Sequence, residues 1–122
     1  MTAVLDASAI LAFLQDEPGA AVVEAYLERG AVCSAVNWSE VAQKVIARAG
    51  DWDVAAALLA TYGLAVVDAT PDDAVAAARR WSPGTGLSLG DRFCLASAAR
   101  LGVPAVTADT AWGTADGVVQ LR

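Results

Sequence analysis

The residues in this sequence that could do chemistry are carboxylates. The 122-residue chain contains 14 Asp and Glu residues and no histidine, and its net charge is −6. The missing histidine excludes Ser-His-Asp and Cys-His catalysis, histidine-pair ribonuclease chemistry and histidine-containing zinc sites. Any reaction catalysed by this chain therefore depends on acidic side chains, alone or with a hard metal ion.

Two acids follow predicted strands that end at the same edge of a sheet. Asp6 comes directly after the apolar run that ends at Leu5, and Asp109 comes two residues after Thr107, the end of another such run. Ligands of parallel sheets gather beyond the carboxyl ends of the strands. Asp68 also follows an apolar run, so its position alone does not separate it from these two.

Two further acids lie in the predicted first turns of helices. Glu40 follows Asn37, and Asp91 follows Ser88, at the three-residue spacing of a capping box. Residues 70–73 repeat this spacing in an openly polar turn, where a solvated helix start is expected. The neighbours of Glu40 and Asp91 are instead apolar, and a lone acid is costly to bury there. Four converging carboxylates would form a Mg²⁺ or Mn²⁺ site.

The elements that must position these acids follow from the pattern of apolar residues. Short apolar runs alternate with helix-period segments between Gly and Pro turn signals. The predicted strands are Thr2–Leu5, Ala31–Ser34, Leu64–Val67, Ala105–Thr107 and Val118–Leu121. The predicted helices are Ser8–Leu14, Ala20–Glu28, Trp38–Ala49, Asp53–Tyr62, Pro71–Trp81 and Ser88–Leu101. This order predicts an α/β fold, a three-layer α/β/α sandwich with a short, mostly parallel sheet.

Composition is typical of one soluble domain over residues 1–122. Hydrophobic residues make up 57% of the chain and charged residues 18%, which excludes disorder. We expect no signal peptide, because the N-terminus has no basic segment and meets a charge at Asp6. No apolar stretch of the sequence is long enough to span a membrane. We therefore expect a cytoplasmic protein, with Cys33 and Cys94 as buried, reduced thiols.

Four segments carry a resemblance to a known family. They are Val-Leu-Asp6-Ala-Ser8-Ala-Ile, Asn-Trp-Ser-Glu40-Val, Ser88-Leu-Gly-Asp91-Arg92-Phe-Cys-Leu-Ala and Val-Thr107-Ala-Asp109-Thr-Ala-Trp112. In this order and at these intervals they resemble a PIN domain of the VapC type, the toxin half of VapBC toxin–antitoxin pairs. The match extends from residue 4 to about residue 112.

The resemblance implies a site as well as a fold. Its metal-binding acids fall on Asp6, Glu40, Asp91 and Asp109. Asp116 is the spare candidate for the variable fourth position. Small hydroxyl groups beside the first and fourth acids fall on Ser8 and Thr107.

The activity implied by the resemblance is that of a Mg²⁺-dependent endoribonuclease, with Mn²⁺ as a second option. Its products carry a 5′-phosphate and a 3′-hydroxyl. Asp6 and Asp91 are expected to be the principal ligands, and Glu40 to orient a water on the metal or to bind the metal directly. Asp109 is expected to serve a second metal or a water. Arg92 is the best candidate to face RNA, or else to pair with a neighbouring acid.

The implied partners are RNA, a VapB-type antitoxin and a second copy of the chain in a homodimer. The apolar hairpin of helices 38–49 and 53–62 would suit a groove for an antitoxin helix. Lys44 and Arg48 could contact RNA or lie on a solvated helix face. Arg79 and Arg80 could contact RNA or offset the dipole at the C-terminal end of their helix. The four tryptophans, at positions 38, 52, 81 and 112, are expected in the core or at interfaces rather than as stacking platforms.

The residues themselves disfavour three alternative functions. A phosphoacceptor receiver domain needs paired acids after the first strand and a Lys after the fifth, whereas Asp6 stands alone and the single lysine, Lys44, is in a helix. A haloacid-dehalogenase-type phosphatase needs a second Asp where Ser8 stands. A non-catalytic PIN-fold module that binds RNA or protein is disfavoured by the intact acids.

Overall fold

The structure, a computed structural model, describes residues 2–115 and 117–122. Within that part of the chain the strands are β1 (Val4–Leu5), β2 (Val32–Ser34), β3 (Ala65–Val67), β4 (Ala105–Thr107) and β5 (Val118–Gln120). The helices are α1 (Ala7–Leu14), α2 (Ala20–Glu28), α3 (Ala35–Ala47), α4 (Trp52–Thr61), α5 (Pro71–Arg79) and α6 (Leu89–Leu101). A 3₁₀ turn covers Thr110–Trp112. The predicted order is confirmed; α3 begins three residues earlier than predicted.

The five strands form one parallel sheet in the order β3-β2-β1-β4-β5. Val4 of β1 is in register with Val32 of β2 on one side and with Ala105 of β4 on the other. The chain therefore adds β2 and β3 on one side of β1, and then crosses over to add β4 and β5 on the other side of β1. Ligands of such folds bind at this reversal, in the crevice beyond the ends of β1 and β4.

Side chains alternate between two cores, one on each face of the sheet. Val4 and Val32 pack against Cys94 of α6, whereas Leu5 and Cys33 lie in the core that α1, α2, α3 and α4 cover. The predicted three-layer α/β/α sandwich is confirmed. This layering leaves the carboxyl ends of the strands as the edge where polar groups can meet.

Both cysteines are buried and free, as predicted. Burial raises the pKa of the Cys33 thiol to about 12, so this group stays protonated and unreactive at neutral pH. In the described part of the chain, none of the helices combines the length and apolar character needed to cross a membrane.

Three of the four tryptophans pack inside the protein. Trp38 and Trp52 meet edge to face with their ring centroids 4.8 Å apart, and Trp112 is buried. Trp81 is 59% exposed, so it is not a core residue. It follows the end of α5 and precedes a loop with no regular structure, which leaves little to cover its ring.

Candidate active site

Asp6 lies where β1 meets α1, at the crevice between β1 and β4. It is the N-cap of α1, since its Oδ1 accepts a 2.8 Å hydrogen bond from the Ala9 amide. The Asp6 amide donates to the Val106 carbonyl of β4 at 3.1 Å. Asp6 is 3% exposed. One carboxylate thus caps a helix and is held almost entirely out of water.

Two hydroxyl groups hold the Asp6 carboxylate. Thr107 Oγ1 donates to Asp6 Oδ2 at 2.6 Å, and Ser8 Oγ donates to Oδ1 at 2.7 Å. Each hydroxyl oxygen also accepts a backbone amide at 2.9 Å, Ser8 from Ala108 and Thr107 from Asp109. Ser8 and Thr107, expected beside the first and fourth acids, therefore both contact the first.

The charge of Asp6 is poorly compensated by the protein. Burial raises the pKa of this carboxyl from 3.8 to about 6, and the negative charge of Asp91 adds to the rise. The hydrogen bonds from Thr107, Ala9 and Ser8 act in the opposite direction but do not outweigh the burial. A cation placed here would relieve this cost.

Glu40 reaches the first turn of α6 from the middle of α3. The N-cap of α3 is Ser34, whose hydroxyl accepts the Val36 amide at 3.1 Å. The capping box predicted for Asn37 and Glu40 is therefore wrong, because both residues lie inside the helix. Asn37 Nδ2 instead donates to Glu40 Oε1 at 2.7 Å.

Asp91 forms the predicted capping box at the start of α6. Its Oδ2 accepts the Ser88 amide at 2.9 Å, and the Ser88 hydroxyl accepts the Asp91 amide at 3.1 Å.

Burial raises the pKa of the Cys94 thiol, and the charges of Asp6, Asp91 and Glu40 raise it further. The charges of all three acids therefore act on one buried thiol of α6.

Asp109 has a local role beside the crevice. It caps the 3₁₀ turn by accepting the Ala111 amide at 2.9 Å, and its carbonyl accepts Gln120 Nε2 at 3.1 Å. Its amide hydrogen bond to Thr107 places it next to the Asp6 network. Asp116, the spare fourth acid, lies outside the described residues.

The structure separates two other acids from the crevice. Asp68 is exposed and follows β3, the edge strand, two strands away from β1, or about 10 Å at normal strand spacing. Asp73 caps α5 as predicted, but it is buried rather than solvated. Arg100 of α6 pairs with it at 2.8 Å, a partner 27 positions further along the chain that local polarity does not reveal.

Arg92 does not pair with a neighbouring acid, which is one of its two expected arrangements; that it faces RNA stays a prediction. Its Nη1 donates to the Ala77 carbonyl near the end of α5 at 3.1 Å, and the side chain is half-buried. Across the described residues it forms no ion pair with an acid. Arg92 therefore fastens α5 to the first turn of α6, beside Asp91.

The donor set suits a hard divalent cation because Asp6, Glu40 and Asp91 supply only carboxylate oxygens. Asp91 Oδ1 and Glu40 Oε2 accept no hydrogen bond from residues 2–115 and 117–122. Over the same residues, no three His, Cys, Asp or Glu side chains stand close enough to enclose a metal. Mg²⁺ is nevertheless compatible, since proteins hold it through one or two carboxylates and several waters.

Sequence reasoning missed two residues at this site, Asn37 as a partner of Glu40 and Gly90. Asn37 Nδ2 also donates to the Gly90 carbonyl at 3.1 Å, and a Cβ at position 90 would meet the Glu40 carboxylate. The one available signal was a glycine in the first turn of a helix, directly before Asp91.

The sequence of residues 3–118 matches the PIN domain family, so the chain belongs to that family. Among curated proteins, none is significantly similar in sequence.

Solved structures with the same fold include proteins from bacteria and an archaeon. A toxin–antitoxin complex from Klebsiella pneumoniae aligns with a TM-score of 0.78 and 21% identity, covering 99% of this chain and 98% of that one. Mycobacterium tuberculosis VapC20, described as a sarcin–ricin loop cleaving toxin, aligns with a TM-score of 0.67 and 15% identity, covering 94% of this chain and 92% of that one. PAE2754 from Pyrobaculum aerophilum aligns with a TM-score of 0.67 and 21% identity, covering 99% of this chain and 90% of that one.

Proposed function

We propose that the chain is a Mg²⁺-dependent endoribonuclease of the VapC type, the toxin of a type II toxin–antitoxin pair, acting in the cytoplasm as one domain over residues 1–122. The observation that carries the proposal is the buried Asp6 carboxylate in the β1–β4 crevice, whose pKa is raised by burial and further by the charge of Asp91. Membership of the PIN family and the likeness to a toxin described as cleaving the sarcin–ricin loop support it. Mn²⁺ is the second ion this ligand set would accept.

The acids have distinct roles in this proposal. Asp6 and Asp91 are the principal ligands, Glu40 binds the ion or orients a water, and Asp109 serves a second ion or water. Bound Mg²⁺ would lower the pKa of a water and offset the charge of the phosphodiester. The protein's own part is to fix the acids, through Thr107 and Ser8 on Asp6 and the Ser88 amide on Asp91. The products would carry a 5′-phosphate and a 3′-hydroxyl.

A VapB-type antitoxin helix is the proposed occupant of an apolar groove. The groove has a volume of about 350 Å³ and is lined by Leu14 of α1, Val45 of α3 and Val54 and Leu58 of α4. Val54 is 64% exposed and Leu58 42% exposed, which is costly unless a partner covers them. The similar fold in a toxin–antitoxin complex supports this assignment, and a homodimer is proposed on the family resemblance alone.

Contact with RNA would rely on a small number of cations in an acidic chain. Lys44, Arg48, Arg79 and Arg80 are all exposed, and Arg48 also lines the apolar groove. Affinity for phosphates comes mainly from such groups and weakens as salt rises.

The proposal is tested by RNA cleavage with Mg²⁺, with EDTA and with the Asp91→Asn variant. We expect EDTA and the substitution each to lower the rate about 100-fold or more, the scale at which a positioned catalytic group contributes. Asp68→Asn is the control, since it makes the same change to an exposed acid outside the crevice, and it should keep wild-type activity.

Two results would decide against the proposal. Cleavage that persists in EDTA and in Asp91→Asn would contradict metal-dependent catalysis. No cleavage by the wild-type protein across varied RNAs, with RNA or antitoxin still bound, would favour the non-catalytic binding module.

A further inference from the structure

Asn37 is a buried amide that joins α3 to α6. It is 1% exposed, and its Nδ2 donates to Glu40 Oε1 at 2.7 Å and to the Gly90 carbonyl at 3.1 Å. Both partners are acceptors, so the amide group must turn its NH₂ towards them. Its Oδ1 is buried and finds no partner among the described residues. Because an orphaned polar atom costs stability, folding alone does not account for an asparagine here.

Gly90 is present for space rather than for backbone conformation. Its φ lies outside the left-handed region, so an alanine would be accepted by the backbone and would favour the helix. A Cβ at this position, however, would lie 2.6 Å from Glu40 Cδ and 2.8 Å from Oε2. The missing side chain therefore leaves room for the Glu40 carboxylate.

We propose that Asn37 is a positioning residue which, with Gly90, holds the Glu40 carboxylate on the first turn of α6 beside Asp91. This inference rests on the proposed function, in which Glu40 takes part in cation binding. The hydrogen bond from Asn37 occupies Oε1. It leaves Oε2 without a donor from the described part of the chain, and so available to a cation or its water.

The first test measures Mn²⁺ binding by calorimetry on the purified chain. Asn37→Leu and Gly90→Ala should each lower the affinity about tenfold, the scale seen when a residue that orients a ligand is lost. In a Glu40→Ala background neither substitution should have a further effect. Gln43→Leu, which removes an exposed amide from the same helix, is the control and should bind Mn²⁺ normally.

An equal loss of affinity in the wild-type and Glu40→Ala backgrounds would overturn the proposal, because Asn37 would then act independently of Glu40. If Asn37→Leu does not fold, Asn37→Ser makes the same comparison with a smaller change.

The second test measures thermal unfolding in EDTA and needs no bound metal. Asn37→Asp places two carboxylates together and should lower Tm by about 3–8 °C. Adding Glu40→Gln gives the new carboxylate a hydrogen-bond donor, so the double variant should recover part of the lost Tm. No recovery in the double variant would contradict the contact between the two side chains.

These tests separate the inference from the proposed function. Wild-type protein that cleaves no RNA would defeat the proposed function, while recovery in the double variant would still support the positioning role. Wild-type protein that cleaves RNA, with Asn37 and Glu40 acting independently, would defeat the positioning role alone.

Discussion

The Thr107 hydroxyl donates a 2.6 Å hydrogen bond to Asp6 Oδ2, and this contact ties the last residue of β4 to the first residue after β1. The same oxygen accepts the Asp109 amide at 2.9 Å. One side chain thus fixes the relative positions of two acids proposed to act on the cation. It does so inside the sheet, where it is fully buried.

Thr107→Val should destabilise the metal-free protein. Valine keeps the shape of threonine but removes one hydrogen bond to the buried Asp6 carboxylate, which then keeps only those from Ser8 and Ala9, at a cost of about 1–3 kcal/mol. Denaturant unfolding at pH 8 in EDTA measures the change. Thr114→Val, at an exposed position, should stay within about 0.5 kcal/mol of wild type. Equal stabilities for the two variants would contradict the assigned role of Thr107.

Asp6→Asn should stabilise the metal-free protein at high pH. Burial raises the Asp6 pKa from 3.8 to about 6. The folded state therefore holds this proton more tightly than the unfolded state does. The associated stability is fully present below pH 3.8 and is lost as the pH rises through about 6. Asparagine does not ionise, so Asp6→Asn does not lose stability as the pH rises. At pH 8 we therefore expect the variant to be more stable than the wild type by about 1–3 kcal/mol.

Unfolding at pH 4, 6 and 8 in EDTA measures this difference. Added Mg²⁺ should stabilise the wild type more than Asp6→Asn, because the ion binds the folded state. Parallel pH profiles for the two proteins would contradict the prediction.

Asp73→Asn should weaken the contact between α5 and α6. The hydrogen bond from Arg100 is the main cause that lowers the Asp73 pKa. A lowered pKa means that this stability is present above the unfolded pKa of 3.8 and disappears as the pH falls through the folded value. At pH 7 the variant should lose about 1–3 kcal/mol, and the difference should shrink in strong acid.

The control for this prediction is Asp72→Asn, which changes the exposed neighbouring acid in the same first turn. Thermal unfolding between pH 2 and 7 should show the pH-dependent loss for Asp73→Asn alone. A similar loss in both variants would point to the helix dipole rather than to Arg100.

Leu58→Asp should weaken binding of the antitoxin. Covering an aliphatic side chain contributes about 1.5–3 kcal/mol, so we expect the affinity to fall about 10- to 100-fold. Calorimetry with the cognate antitoxin measures it. Val75→Asp is the control, since Val75 is an exposed aliphatic residue on α5, 52% exposed, outside the groove. An equal loss of antitoxin affinity in Leu58→Asp and Val75→Asp would contradict the proposal that the antitoxin binds in this groove.

Local patterns were sufficient to predict the sheet and its helices. Strands of two or three residues could be located because each is a short apolar run between turn signals, as at Ala105–Thr107. Asp6 could be placed at the functional edge because parallel strands share one carboxyl end. That reasoning could not exclude Asp68, since the order of strands in the sheet is set by long-range pairing.

The errors arose where a distant residue decides what a side chain does. Asn37 and Glu40 have capping-box spacing, yet Ser34 caps α3 three residues earlier. The Asn37 amide then reaches the Gly90 carbonyl, 53 positions away. Asp73 lies in a polar turn, yet Arg100 covers it. Arg92, placed next to an acid by sequence, bonds to the Ala77 carbonyl instead. Spacing predicts local hydrogen bonds well but does not reveal such tertiary partners.

The contact between Asp6 and Thr107 spans 101 positions of the chain, which has a consequence for protein synthesis. A chain made from its N-terminus exposes Asp6, Glu40 and Asp91 before β4 exists. Until Thr107 leaves the ribosome, the crevice lacks the β4 wall and the Asp6 carboxylate lacks one of its hydroxyl donors. A ribosome that stalls before this point releases a fragment without the complete site. The crevice is thus completed only once β4 has been made, later than the acids at positions 6, 40 and 91.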